Sequence, residues 1–487
     1  MTNHSTIRDP AKSFHQTGIL AVVLMSYFMI LLDNSVIFTA LPSVQNDLDL
    51  SSGELSWVQD AYTLVFGGLL LIGARAGDLF GRRRVFVFGL MVFSLASALI
   101  GLAPVGWWAI AGRALQGVGA AIIAPTSLSL LTASFPPGHA RNRAVAWYGA
   151  IAGIGASLGL VIGGVLAHWV SWRAGFFVNV PLGLAMMFLA PRFLVETPRA
   201  RGRFDILGAA CATLSVGLMV FGIINTTQRG WVSFSTLLPI WTGIILLGCF
   251  VAIEAKATQP IMPLSLFASR RRTGAYLARL LYMGAMIGFF YFLTQFMQYV
   301  LGFNPLQAGL GFLPMTIVNF VVALTIPKIV RRLPASIPLL LGIAFTLAGM
   351  YWLSTVHPHT GFWDGIAPPM ALIGIGQGLA FAPLTSFGII NTPVEFAGAA
   401  SGLVNTFHQM GMTLGLGIMV ACATGGPAQT SFSGQISAEV YTALTVGCLL
   451  LVLSFLAVLF LVFPGDLRAH RKRLAITTEP TVGTSRR

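Results

Sequence analysis

An all-α membrane protein with fourteen transmembrane helices is the fold class this sequence predicts, on three observations. Hydrophobic residues make up 56% of its 487 residues and charged ones only 9%, with a mean hydropathy of +0.81, whereas soluble domains carry about 25% charge. Crossing a ~30 Å hydrocarbon core takes about 20 apolar residues. Fourteen such runs occur, near 17–41, 55–74, 85–103, 107–132, 144–168, 174–194, 205–225, 236–255, 274–300, 306–327, 336–356, 366–389, 397–424 and 439–463. Finally, the basic residues are one-sided. With the N-terminus placed in the cytoplasm, 25 of the 29 Lys and Arg fall on that side, Arg173 and Arg229 fall outside, and Arg113 and Arg279 lie within spans. That asymmetry predicts an even number of helices with both ends inside. It also explains the net charge of +14 as topology signals beside anionic lipid, with no nucleic-acid partner.

The spans group into repeated halves. Pro137 and Gly155-x-x-x-Gly159 recur as Pro393 and Gly411-x-x-x-Gly415, each at an offset of 256, and the same shift starts a span just after Arg270 to Arg272. Residues 1–194 are expected to form one six-helix half and 261–463 the other. An inserted two-helix hairpin lies in 195–260, and 464–487 is a basic, flexible cytoplasmic tail. Repeated halves are how many secondary transporters are built, with the substrate site between them near the midplane. Glycine-mediated helix packing is the competing explanation of the repeat. No cleavable signal is expected, because the first apolar run follows a polar segment and is long enough to span. Cys211, Cys249, Cys422 and Cys448 each lie inside an apolar run, as small membrane-buried residues rather than disulfide or metal partners. No Walker loop, metal-spaced Cys/His cluster or Ser/His/Asp set is present. The chain is therefore not expected to be an enzyme, and no cofactor or metal is expected.

The informative residues are the charges inside spans. Asp33 sits in the first span, where a carboxylate costs roughly 2.5–3.5 kcal/mol on insertion scales unless it faces water or a partner. At 1.5 Å per residue it lies about 12 Å from the outer end. The second span opens with Ser51 and Glu54 at capping-box spacing, and Asp60 follows about 9 Å deep. Arg113 lies at a similar depth in the fourth span. Three charges at one level of one half are expected to share a polar cavity. An arginine nearby favours the ionised carboxylate and burial favours the neutral acid; a carboxyl balanced between the two can take and release a proton. A structural ion pair is the bland alternative for Asp33 and Arg113, and simple solvation for Asp60. Arg279 is expected to snorkel from the cytoplasmic end of the ninth span. The second half has Phe289 at the repeat position of Asp33. Its acids, Asp364, Glu395 and Glu439, read as loop or helix-end residues. Carboxylate-based coupling therefore belongs to the first half. The second half offers Gln295, Gln298, Asn319, Gln377, Asn405, His408 and Gln409 instead.

Several stretches in this order resemble the major facilitator superfamily, in its fourteen-span drug:proton antiporter branch. LDNSVIFTALP (32–42) is similar to the helix-1 motif L-D-x-T-x-x-N-x-A-L-P, with Ser35 for Thr and Phe38 for Asn. SWVQDAYTL (56–64) resembles W-V-x-x-x-Y. GDLFGRRR (77–84) resembles the loop 2–3 signature, with Ala74 at its first glycine and Leu79 at an arginine. RALQGVGAA (113–121), SWRAGFFVNVPLG (171–183) and QYVLGFNPLQAGLGFLP (298–314) also resemble this branch. The resemblance implies the major facilitator fold, with proton coupling at Asp33 and Asp60 modulated by Arg113. It also implies an inner gate at Asp78, Gly81, Arg82 and Arg83. A physical reason fits that gate: in an outward-facing state the Asp78 carboxylate could cap the positive end of the thirteenth helix near Ala397. The helix-5 hinge motif G-x-x-x-G-P-x-x-G-G reads GASLGLVIGG. It keeps Gly155, Gly159, Gly163 and Gly164 but places Leu160 at the proline.

The function expected is proton-driven export of a lipophilic, cationic drug or antiseptic by a monomer, with the proton gradient as energy source. The location expected is the inner membrane of a bacterium, in contact with membrane lipid. Candidate cavity residues are Trp57, Tyr62, Asn34, Gln295, Gln298, Asn405, His408 and Gln409. Sparse charge in the second half argues against an anionic substrate. Exchange or symport of a small neutral metabolite, and a transporter-like membrane sensor, stay open as other readings.

Overall fold

The computed structural model describes residues 10–135, 139–197, 206–257, 260, 262–393, 396–424 and 431–478. Arg8, Pro137, Arg199, Arg201, Arg203, Glu395, Arg486 and Arg487 lie outside the described residues. The first six helices are α1 (Pro10–Leu48), α2 (Ser52–Phe80), α3 (Arg82–Gly101), α4 (Gly106–Ser134), α5 (His139–Trp169) and α6 (Trp172–Phe193, stepped at Val178). The hairpin helices are α7 (Ile206–Arg229) and α8 (Phe234–Lys256). Then follow α9 (Arg270–Val300), α10 (Pro305–Gly311 and Leu313–Arg332), α11 (Ser336–Ser354), α12 (Phe362–Gly388), α13 (Ala397–Ala423) and α14 (Phe432–Ala457). Among the described residues, twelve helices are long and apolar enough to cross a membrane. The other two, α5 and α7, carry the shorter apolar stretches Leu158–Trp169 and Ala210–Thr226.

Local chemistry sets the helix ends. Ser51 and Glu54 close the anticipated capping box: Glu54 N donates to Ser51 Oγ at 3.3 Å and Ser51 N to Glu54 Oε2 at 3.0 Å. Asn304 and Gln307 form a second box, with Pro305 in the first turn of α10. Gly81 ends α2 at φ +102°, a left-handed turn that favours glycine, and a Cβ there would lie 2.8 Å from the Glu196 carboxyl. The first part of the stretch expected to form a tail is helical. A π-helical stretch at Val458–Val462 carries α14 into a further helix, Phe463–Thr478. Asp466 there accepts from Ser336 N and Ser336 Oγ at 3.0 and 2.8 Å, which caps α11.

Helix pairs repeat at a shift of eight. The pairings α1 with α5, α2 with α4, α3 with α4 and α3 with α6 recur as α9 with α13, α10 with α12, α11 with α12 and α11 with α14. The two groups meet through α2 against α13 and α5 against α10. The end bearing Arg82–Arg84 and Arg270–Arg272 is the basic end. Near the opposite end, Gln298 Nε2 donates to Thr39 O at 2.9 Å and Tyr299 Oη lies 3.0 Å from Gln45 Oε1, joining α9 to α1. The α2–α13 seam carries a Thr63 Oγ1–Thr413 Oγ1 bond of 2.8 Å. The hairpin braces that seam, since Val216, Val220 and Ile224 of α7 pack against Trp57 and Leu64 of α2 and Met410 and Leu414 of α13.

Candidate functional site

At the centre of the first half a carboxylate and a guanidinium meet out of water. Asp33 on α1 and Arg113 on α4 are 1% and 0% exposed, and Arg113 Nη1 donates to Asp33 Oδ2 at 2.6 Å. The other carboxylate oxygen, Asp33 Oδ1, accepts from Gln116 Nε2 at 2.7 Å and from Asn179 Nδ2 at 2.8 Å. Gln116 is also held by Arg113 Nη1, which donates to its Oε1 at 2.7 Å, and by Ser97 Oγ at 2.8 Å. Arg113 Nε donates to Val58 O at 2.9 Å, tying the group to α2. The guanidinium lies 4.2 Å over the Tyr62 ring. A buried pair survives desolvation only with such additional bonds. Five helices, α1, α2, α3, α4 and α6, thus contribute to one buried network around this carboxylate.

Asp60 lies outside this network, which corrects the expectation of one shared cavity. It is fully buried on α2, yet neither of its carboxyl oxygens has a hydrogen-bond partner among the described residues. The two sites differ in the helix face they occupy. On α2, Val58 and Tyr62 face Arg113, whereas Asp60 and Thr63 lie on the side turned to the α13 seam, where Thr63 meets Thr413. Tyr291 of α9 is within electrostatic range of Asp60.

The cavity candidates also separate. Tyr62 is buried beneath Arg113, and Trp57 packs on α7. Asn34 Oδ1 accepts from Gln59 Nε2 at 3.0 Å. Gln295 bonds within its own helix, to Tyr291 O, and Gln298 joins the halves. Gln409 is buried where α13 crosses Gly67, and its Oε1 has no partner among the described residues. Asn405 is exposed and His408 half-buried.

Arg279 does not snorkel. It is 3% exposed and turns into the second half. Its Nη1 donates to Thr385 Oγ1 at 2.8 Å, its Nη2 lies 3.1 Å from His408 Nδ1, and its guanidinium stacks 4.4 Å from the Phe381 ring. Counting nine residues from Arg270 puts it about 14 Å into the helix, too deep for its stem to reach the end by preference.

At the basic end, Asp78 pairs with Arg82 at 3.0 Å, and the first turn of α13 receives no side-chain cap among the described residues. The cap of α3 is Glu196, which accepts from Arg83 N at 3.0 Å and Arg84 N at 3.2 Å. The α5 glycines form a close-packed row. A Cβ at Gly155 would meet Leu31, at Gly159 Ser35, at Gly163 Val36 and at Gly164 the backbone of Pro305. Helix α5 runs unbroken through Leu160, whose carbonyl lies against Gly309 of α10.

Motifs alone do not single out Gln116, Asn179, Ser97 or Glu196. The first two are visible as polar residues inside the motif stretches RALQG and FFVNVP. Ser97 and Glu196 carry no such signal.

Comparison with known proteins agrees with this architecture. The chain is 38% identical over 464 residues to the cephamycin export protein of Amycolatopsis lactamdurans, covering 94% of this chain and 95% of that one. It is 35% identical over 416 residues to the puromycin resistance protein of Streptomyces alboniger, covering 84% and 82%. Among solved structures, the POT family transporter PepTSo superposes with a TM-score of 0.65 at 14% identity, over 91% of this chain and 97% of that one. The sequence profile described as Major Facilitator Superfamily matches residues 23–416. This integral membrane chain therefore belongs to the Major Facilitator Superfamily.

Proposed function

We propose that this protein is a proton-coupled exporter of lipophilic organic compounds, of the drug and antibiotic kind, working by alternating access. The observation that carries the reading is the Asp33–Arg113 pair with its Gln116 and Asn179 supports. Proton uptake by Asp33 removes the charge that holds Arg113. The guanidinium then keeps its Val58 and Gln116 bonds, so the link between α1 and α4 weakens while that between α4 and α2 persists. One event thus biases how α1 sits against its neighbours, and α1 is bonded to α9 across the halves. The names of the relatives, which concern export of and resistance to antibiotics, support the cargo class. One charge crossing 100 mV supplies about 2.3 kcal/mol, enough for a gradient of roughly forty-fold.

The positive-inside pattern supports a bacterial cytoplasmic membrane with both termini inside. The protein acts as a monomer in lipid and needs no cofactor beyond the proton gradient. A cationic substrate would find its counter-charge at Asp60 and an anionic one at Arg279. The test uses proteoliposomes loaded with a fluorescent lipophilic compound under an imposed pH gradient. Wild type moves the compound with the gradient and Asp33→Asn loses that dependence. Movement indifferent to the gradient, or an Asp33→Asn variant that matches wild type, ends the coupling reading.

A further inference from the structure

Arg279 carries a buried positive charge with no negative partner among the described residues of the second half. No described acidic side chain forms an ion pair with it. Asp364 stands in the first turn of α12 and Glu439 in the early turns of α14, at the opposite end from the basic start of α9. The bonds of Arg279 go to neutral acceptors, Thr385 Oγ1 and His408 Nδ1, and its Nε is buried with no partner among the described residues. Leaving a guanidinium so under-bonded is costly. In the first half the same problem is solved with Asp33.

Polar and aromatic groups with exposed surface lie close by. Asn405, one turn from His408 on α13, is exposed, and the Phe381 ring that stacks on the guanidinium is 39% exposed. Across from them, Tyr27 of α1 lies within electrostatic range of Arg279 and stacks on Tyr148 of α5 at 4.0 Å. Arg279 thus has a hydroxyl, an imidazole and an aromatic face against it and a tyrosine of the other half within electrostatic range, with the Asn405 amide one turn along α13 from His408. A planar guanidinium with a free N–H matches a carboxylate or sulfonate oxygen, and the rings match an aromatic body.

We infer that Arg279 is the substrate's counter-ion, and that the exported compounds are amphipathic aromatic anions held by Arg279 and Asn405 between Phe381 and the Tyr27–Tyr148 stack. This rests on the export reading for its direction of transport, and it replaces the cationic substrate expected from the sequence. The sparse charge of the second half is the reason one guanidinium suffices: no described residue beside it neutralises it.

A dansyl series separates charge from shape. Dansylglycine, its methyl ester and dansylcadaverine share one fluorophore and carry a negative, no, and a positive charge. Binding is read as fluorescence of purified full-length protein in detergent, without a gradient. The expected order is dansylglycine tightest, with Arg279→Gln weakening it by roughly tenfold or more, leaving the ester unchanged, and Arg279→Lys recovering part of the loss. Dansylcadaverine binding at least as tightly as dansylglycine to wild type overturns the inference, as does an Arg279→Gln variant that binds dansylglycine normally. So does the absence of dansylglycine binding to wild type. Should Arg279→Gln fail to fold, the order on wild type and on Arg279→Lys decides alone. If dansylglycine binds in this way but no pH gradient moves it, the export reading fails and the site stands. If a gradient drives the ester with no preference for the acid, export stands and the anion site fails.

Discussion

Each half of this transporter buries a guanidinium well inside a helix, Arg113 in the first and Arg279 in the second, and the two are held in different ways. In the first half Arg113 reaches from α4 to Asp33 on α1, and two amide side chains satisfy the carboxylate. In the second half the repeat position of Asp33 is Phe289, fully buried among Phe290 and Phe312, and Arg279 on α9 leans on a hydroxyl and an imidazole. The backbone plan is common to both halves, while the electrostatics are not. A repeated fold can therefore divide its labour. One half buries its guanidinium in an ion pair, and the other buries its guanidinium on neutral acceptors.

The largest effect that sharpens this contrast is on stability. Arg113→Ala leaves Asp33 buried without its partner and should cost about 3–5 kcal/mol. Arg279→Ala removes two bonds to neutral acceptors, strands no buried ion, and should cost about 1–2 kcal/mol. Thermal unfolding of the detergent-purified variants measures both. Equal losses would break the contrast. A double-mutant cycle of Asp33→Asn with Arg113→Gln should return a coupling of about 1–3 kcal/mol, whereas Asp33→Asn with Arg279→Gln should be additive.

A second experiment probes what the halves have in common. Gly159 on α5 packs on Ser35 of α1, and its repeat partner Gly415 on α13 packs on Gly284 of α9. Alanine at either should cost about 1–3 kcal/mol, because the Cβ lands on neighbouring backbone or Cβ atoms that have no room to retreat. Matching losses on the same melts support a shared packing plan; a loss at one site only would show that the repeat is decorative there.

Much of this architecture is legible in the sequence, for physical reasons that differ by residue. The fourteen helices follow from apolar length, because a membrane leaves the backbone no other economical arrangement. Asp33 and Arg113 stand out because intramembrane charge is rare. Their companions Ser97 and Asn179 do not, since a serine or asparagine in a helix is common and only three-dimensional convergence gives it a role. Depth along the helix places Asp60 level with the pair, but depth says nothing of azimuth, and the face of α2 it occupies points elsewhere. Arg279 defeats a sequence reading for the opposite reason. A basic residue in the first turns of a span is ordinarily free to snorkel, and the partners that hold this one, Thr385 and His408, lie more than a hundred residues away in sequence.

The smallest effect concerns the basic ends of the two halves. Glu196 caps α3 through Arg83 N and Arg84 N, whereas α13 begins without a side-chain cap among the described residues. Glu196→Gln keeps the shape, removes the charge, and should cost about 0.3–1 kcal/mol through the helix dipole. Gly398, in the first turn of α13, has open space around it, so Gly398→Glu can add an acid to this turn. Measured against Gly398→Gln, which removes the same glycine without adding charge, it should gain a similar 0.3–1 kcal/mol. Both differences should shrink as salt rises, because exposed charges are screened. A gain at Gly398 equal to the loss at Glu196 would mean that the bare α13 terminus is a matter of side-chain identity alone. A gain near zero would mean that another charge already serves that terminus, and Asp78, paired with Arg82 in this structure, is the first residue to test by Asp78→Asn.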